Sequence, residues 1–409
     1  MRFAVHGSIS LALLVAGCDG DDACLRSSGA SARCLGNDAK AWLDASTSCR
    51  RTPAADDRAR FVVIAHPYDT AGNASAAFEV LQLSTAGALT RFAQPKTFML
   101  SKRAPFGVMA FTPDAKVGLV ALDDGKVGVF SLDADGNPTV IDPGFSGGFY
   151  ADRVVMDPSG DYAWVVDRNT RENGGGIYRV TVNCDGTLSD AMLFAAANSP
   201  GGIGFTGDGQ AVVAARDILG GPAGGGADVH LLNWSTTRPP MLLDGADAFG
   251  DNDIIFSGFA MGPDAVVVGD SNVTGTNRVA AAGFNTTQMY GGGVIASDIT
   301  DPSGIAISPF ARTIVVTSSQ PPGEGIYVLA SYDGTVWTKN EVTYNGAAPQ
   351  LPGDLVTIDR GSLKGSVLVS ELSKVRRLLF HSDDSVTDEG SLALGGGLEN
   401  VAGAIGVTP

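Results

Sequence analysis

The sequence is poor in positive charge, with 28 lysines and arginines against 44 aspartates and glutamates and a net charge of −16. A surface of that sign repels nucleic acid and anionic lipid heads, so neither is expected as a partner. Histidine is scarce as well, with four in the chain, and no pair of them stands at the spacing of a zinc site among the five cysteines. No segment reaches the roughly 18 apolar residues a membrane-spanning helix needs. Long amphipathic helices are also missing. The one Gly-rich stretch, 220–226, is followed by no Lys-Ser or Lys-Thr and opens no helix, which rules out a phosphate cradle. No serine lies in a nucleophile elbow between strand and helix, so a serine hydrolase is not expected.

What is present begins with an N-terminal Arg2, an apolar run from Ile9 to Ala16, and then Gly17-Cys18. The run is too short to span a bilayer permanently and suits a secretory signal. Leu14-Val15-Ala16-Gly17-Cys18 resembles the lipobox of bacterial lipoproteins. The resemblance implies cleavage before Cys18, diacylglyceryl transfer to its thiol, and an exported protein held by lipid on the periplasmic or cell-surface side of a membrane. With Cys18 lipidated, Cys24, Cys34, Cys49 and Cys184 remain as disulfide candidates. An even number in an oxidising compartment suggests two bonds whose pairing the sequence leaves open. Residues 18–57, rich in Asp, Ser, Ala and Arg, read as a tether after a signal at 1–17.

From residue 58 to 409 the language changes to short runs of Val, Ile, Leu and Phe separated by Gly, Asp, Asn and Pro, which is strand and turn patterning. An apolar run followed by a turn recurs, with turns at 113, 158, 207, 263, 309, 360 and 409 and intervals of 45, 49, 56, 46, 51 and 49 residues. A period of that length with four strands per unit is propeller spacing. Each turn is followed by a second strand, such as Ala163-Trp164-Val165-Val166 or Thr313-Ile314-Val315-Val316, except the last, which stops at Pro409. Phe61-Val62-Val63-Ile64-Ala65 supplies the missing continuation. The expected fold is therefore all-β, a seven-bladed propeller closed by pairing the C-terminal strand with the N-terminal blade. An open sandwich of tandem hairpins would leave the split repeat unexplained.

Ser308-Pro309-Phe310-Ala311-Arg312-Thr313-Ile314-Val315-Val316-Thr317-Ser318 and Asp157-Pro158-Ser159-Gly160-Asp161-Tyr162-Ala163-Trp164-Val165-Val166-Asp167 are similar to the repeat of the YVTN propellers. That family lies close to the seven-bladed lactonases that resemble 6-phosphogluconolactonase and muconate-cyclising enzymes. The repeat is a folding motif, and no lactonase site motif transfers residue by residue. WD-type Gly-His and Trp-Asp pairs are absent.

In a propeller, the residues just before each first strand and just after each second strand ring one mouth of the central channel. The second-strand ends give His66, Asp123, Asp167, Arg168, Arg216, Asp217, Asp270, Ser318 and Glu371. The first-strand starts give Arg153, Asp253, Asp354, Glu399 and Asn400. Within this crown His66, Asp123, Arg153, Asp167, Arg216, Asp217, Asp270 and Glu371 are the ligand or metal candidates. Oxygen ligands of this kind suit a divalent cation such as calcium. A carboxylate or His66 beside an arginine would equally suit general-base chemistry. The solvated-turn explanation applies to each residue singly, because Asp at strand ends also caps turns. Two functions follow: a tethered propeller binding a protein, glycan or small molecule at the mouth, or a lactonase-like hydrolase.

Overall fold

The computed structural model describes Cys49 and residues 51–69, 71–168, 175–206, 209–219, 226–235, 238–250, 254–271, 277–310, 312–320, 323–331, 336–394 and 403–409. The signal, Cys18, Cys24, Cys34, most of the tether, Asp253, Glu399 and Asn400 lie outside these residues.

Seven antiparallel sheets of four strands, one of them extended by a fifth, follow one another along the chain as the blades of a propeller. Going outward, the first blade consists of Ile405–Val407, Arg60–Tyr68, Ala74–Leu83 and Leu89–Met99. The inner strands of the next six are Ala110–Phe111, Arg153–Met156, Gly202–Phe205, Phe256–Met261, Pro302–Ile307 and Leu355–Thr357. Their second strands are Val117–Ala121, Tyr162–Asp167, Gln210–Ala214, Ala265–Asp270, Thr313–Ser318 and Ser366–Glu371. The C-terminal strand is the innermost of the first blade, as the split repeat requires, with Val62 opposite Val407 and Ile64 opposite Ile405. Ile405 also forms a bridge to Val108 of the second blade, so it joins two blades at once. Hairpin glycines stand where the turns demand them: Gly136 and Gly186 take φ of 81° and 85°, backbone that a side chain disfavours.

The second strands are continuous apolar runs because both their faces are covered. Successive side chains point to opposite faces of a strand. Phe61, Val63 and Ala65 therefore pack towards the second blade with Met109, Phe111 and Phe130. Val62 and Ile64 pack the other way, against Val356, Leu368 and Val375 of the seventh. Every pair of neighbouring blades shares such a core. Trp164 and Trp234 meet between the third and fourth blades, ring centroids 4.8 Å apart.

Cys49 is bonded to Cys184, in the hairpin turn at the outer half of the third blade. The segment that follows is fastened along the face carrying the repeat turns. Arg51 donates to Asn183 O at 2.8 Å, and Ala54 N donates to Pro113 O at 2.9 Å. Asp57 accepts from Ser362 N at 2.8 Å, and Arg58 donates to Pro409 O at 2.9 Å. The last part of the expected tether is thus a strap laid from the third blade to the seventh. The bond encloses three strands of the first blade, the whole second blade and three strands of the third, rather than closing a loop within the tether, its ends being 135 residues apart. A loop of that order restricts the unfolded chain, and such bonds contribute about 2–4 kcal/mol.

Candidate functional site

The face opposite the strap holds a cavity of about 460 Å³ at the channel mouth. It is built as the strand connections dictate: Gly107, Asp152, Arg153, Ser257, Ser303, Gly353 and Asp354 stand at or near first-strand starts. Arg168, Ser271, Ser319 and Gln320 follow second strands. Phe106 and Leu351 add an apolar edge, Phe106 being 64% exposed.

Of the eight candidate residues, Arg153 lines this cavity, and the other seven are engaged elsewhere. His66 continues the strand past its expected end, is buried, and faces Glu79 at 3.3 Å within the first blade. Asp123 pairs with Arg103. Asp167 accepts from Tyr150 N at 3.0 Å, and Asp270 accepts from Ile255 N at 3.0 Å and pairs with Arg278 at 2.6 Å. Arg216 donates through Nε to Ile254 O at 2.9 Å. Asp217 lies in the two-residue strand Asp217–Ile218, opposite Asn198. Glu371 pairs with Arg376, which also holds Asp388.

For Asp167 and Asp270 the reason is the parity of the pleat. Asp167 and Asp270 end their strands with side chains turned from the channel, onto backbone N–H groups of the chain entering the same blade. Ser318 does the equivalent, donating to Thr300 O at 2.6 Å. One residue later, Arg168, Ser271 and Ser319 face the cavity. Reading one position past each second strand would have found them, as the strand-end rule did for Arg168 and the strand-start rule for Asp354. The serines carry no signal of their own.

Arg153 reaches across the mouth from the third blade to the fifth, donating to Ser257 O at 2.6 Å. Burial, with the Arg168 charge nearby, pushes its guanidinium down to about 10. Burial raises the carboxyl of Asp354, and Arg153 opposes that rise. Asp152 is likewise raised by burial. Each has a structural partner: Asp354 accepts from Gly107 N at 2.6 Å and Asp152 from Arg168 N at 2.8 Å. Among the described residues, no group of three or more Asp, Glu, His or Cys side chains is placed to hold a metal ion.

The architecture and the mouth define a seven-bladed propeller with the polar groups of several blades gathered at one end of its channel. No protein-family profile and no curated protein sequence matches the chain. Among solved structures, it is similar to a protein of Bacteroides fragilis assigned as a 6-phosphogluconolactonase, with TM-score 0.58, 13% identity, and coverage of 86% of this chain and 98% of the other. A protein of Bacteroides uniformis with the same assignment gives TM-score 0.59 and 10% identity over 85% and 99% of the two chains. The periplasmic gluconolactonase of Pseudomonas aeruginosa gives TM-score 0.52 and 12% identity over 86% and 100%. At these identities the likeness is one of fold, that of the lactonase-type propellers. The Cys49–Cys184 bond belongs to an oxidising compartment, as in exported proteins.

Proposed function

We propose that the protein is an exported, lipid-anchored propeller that binds a small molecule at the channel mouth. The observation that carries this reading is the convergence of Arg153, Arg168 and Asp354 with serines of several blades on one concave cavity. Sites of this kind are concave and hold a few convergent polar groups on a rigid frame. In a thermal-shift screen of a metabolite panel, binders at the mouth should raise the melting temperature of the parent and lose that effect in Arg168→Gln. If every stabilising compound acts equally on the variant, the site lies elsewhere.

The anchor rests on Cys18. Cys18→Ser should move the protein from the detergent phase to the soluble exported fraction, and continued partition with detergent would refute the lipid tether.

A second reading is hydrolysis of a lactone, the activity in the names of the similar propellers. It is favoured by Asp354, a buried carboxyl raised above the ordinary range beside Arg153. Such a carboxyl suits general acid–base work, with the guanidinium stabilising an oxyanion. Gluconolactone hydrolysis above the spontaneous rate, reduced at least ~100-fold by Asp354→Asn, would establish it. Turnover no faster than the spontaneous rate would leave the binding reading alone.

A further inference from the structure

Below the mouth lies a second cavity of about 120 Å³, formed by the inner strands, and its wall is largely apolar: Val155, Ile203, Phe259, Ile305, Ile307 and Val356 line it. Arg153 lines both cavities, so the mouth and the channel meet at its side chain. The wall depends on close approach. A Cβ on Gly202 would stand 2.4 Å from the Phe259 ring, and one on Gly204 would stand 2.9 Å from Met261 Sδ.

The two mouth arginines are under-used. A guanidinium offers five N–H donors. Arg153 spends one bond on Ser257 O. Arg168 Nε is buried without a partner, and no carboxylate stands within 4.0 Å of either guanidinium among the described residues. The three carboxylates of the cavity are occupied: Asp152 and Asp354 accept backbone N–H groups, and Asp301 accepts from Ser319 Oγ at 2.8 Å. Asp152 and Asp354 act on both guanidiniums through space. Arg168 Nε nevertheless remains a buried donor without an acceptor, which a carboxylate supplied from outside would satisfy.

We propose that the channel takes a short to medium-chain aliphatic carboxylate, its head group between Arg153 and Arg168 and its alkyl chain descending along the apolar wall. The proposal rests on the mouth being the binding site. Methylenes gain by leaving water against Val, Ile and Phe side chains. Hydroxyls of a sugar acid would meet few partners on that wall, where Ser308, Thr357 and Asp359 stand among mostly apolar side chains, and the unpaired ones would be penalised.

Calorimetric titration with acetate, butyrate, hexanoate, hexan-1-ol and gluconate tests it. Affinity should rise about fourfold per methylene from acetate to hexanoate. Hexan-1-ol and gluconate should bind far more weakly than hexanoate, and Arg168→Gln should abolish hexanoate binding. Ala260→Phe, which fills the channel, should weaken hexanoate and spare acetate at an unchanged melting temperature. If that variant does not fold, the chain-length series on the parent decides. Hexanoate no tighter than acetate, or gluconate tighter than hexanoate, with both lost in Arg168→Gln, would overturn the channel proposal and keep the mouth. No binding of any carboxylate, or binding that survives Arg168→Gln, would overturn the proposal, and survival would place the anion site away from the mouth.

Discussion

A chain ending at Gly403 should fail to give a cooperatively unfolding propeller, either not accumulating or melting broadly at low temperature. The six residues removed include Ala404 and Ile405, both fully buried. Their loss uncovers Val62 and Ile64, which lie at 0% exposure beneath the strand. Losing the burial of Ile405 itself and of Val62 and Ile64 costs roughly 5–9 kcal/mol at about 1.5–3 kcal/mol for each side chain. The total stability of a domain is about 5–15 kcal/mol. Backbone partners go as well. Phe61 N loses Thr408 Oγ1 at 3.0 Å, Arg60 Nη1 loses Thr408 O at 3.0 Å, and the bridge from Ile405 to Val108 disappears. The first blade would then have lost its innermost strand and would carry an open inner edge. Calorimetry of the truncated protein checks this. A single sharp transition within a degree or two of the parent would mean that the ring does not depend on its closing strand. Ile405→Ala, which keeps the ladder, should cost a milder ~2–5 kcal/mol.

Arg376→Met should be the most damaging single substitution away from the closure. Arg376 is fully buried and holds Glu371 through Nε and Asp388 through Nη1, with a further bond from Nη2 to Ala347 O at 2.8 Å. Removing one member of a buried ion group leaves uncompensated charge, at a cost of about 3–5 kcal/mol. The loss should depend on pH. Burial already raises the Glu371 carboxyl, with Arg376 as the main opposing influence, so the variant raises it further. A carboxyl raised in the folded state keeps protons that the unfolded chain gives up. The native state of the variant is therefore best supported at low pH and loses support as pH rises through the raised value. Urea midpoints for parent and variant at pH 5 and pH 8 should show the larger gap at pH 8, and Glu371→Gln added to Arg376→Met should narrow it. An equal gap at both pH values would point instead to lost packing on the Tyr344 ring, whose centroid is 5.2 Å from the guanidinium.

The repeat and its break were enough to read the ring. Strands are set by local pattern, and the last first-strand run, 404–408, finds its second strand in Phe61–Ala65. The mouth was legible as a location for the same reason, since first-strand starts and second-strand ends must ring the channel. Arg153 could be placed there from its position in the repeat.

Which side chains face the cavity was decided by tertiary structure. The pleat alternates every residue, and a strand running three residues further, as the first blade's does through Tyr68, buries His66. Asp167 and Asp270 look like site carboxylates in sequence, yet the nearest N–H groups that need an acceptor belong to their own blades. The pairing of Cys49 with Cys184 was equally beyond sequence, because ten strands of three blades fold between the two thiols. Period and composition therefore determined the ring and its mouth. Register and long-range packing, which depend on atoms far apart in the chain, decided that the mouth presents Arg153, Arg168 and a rim of serines above an apolar channel.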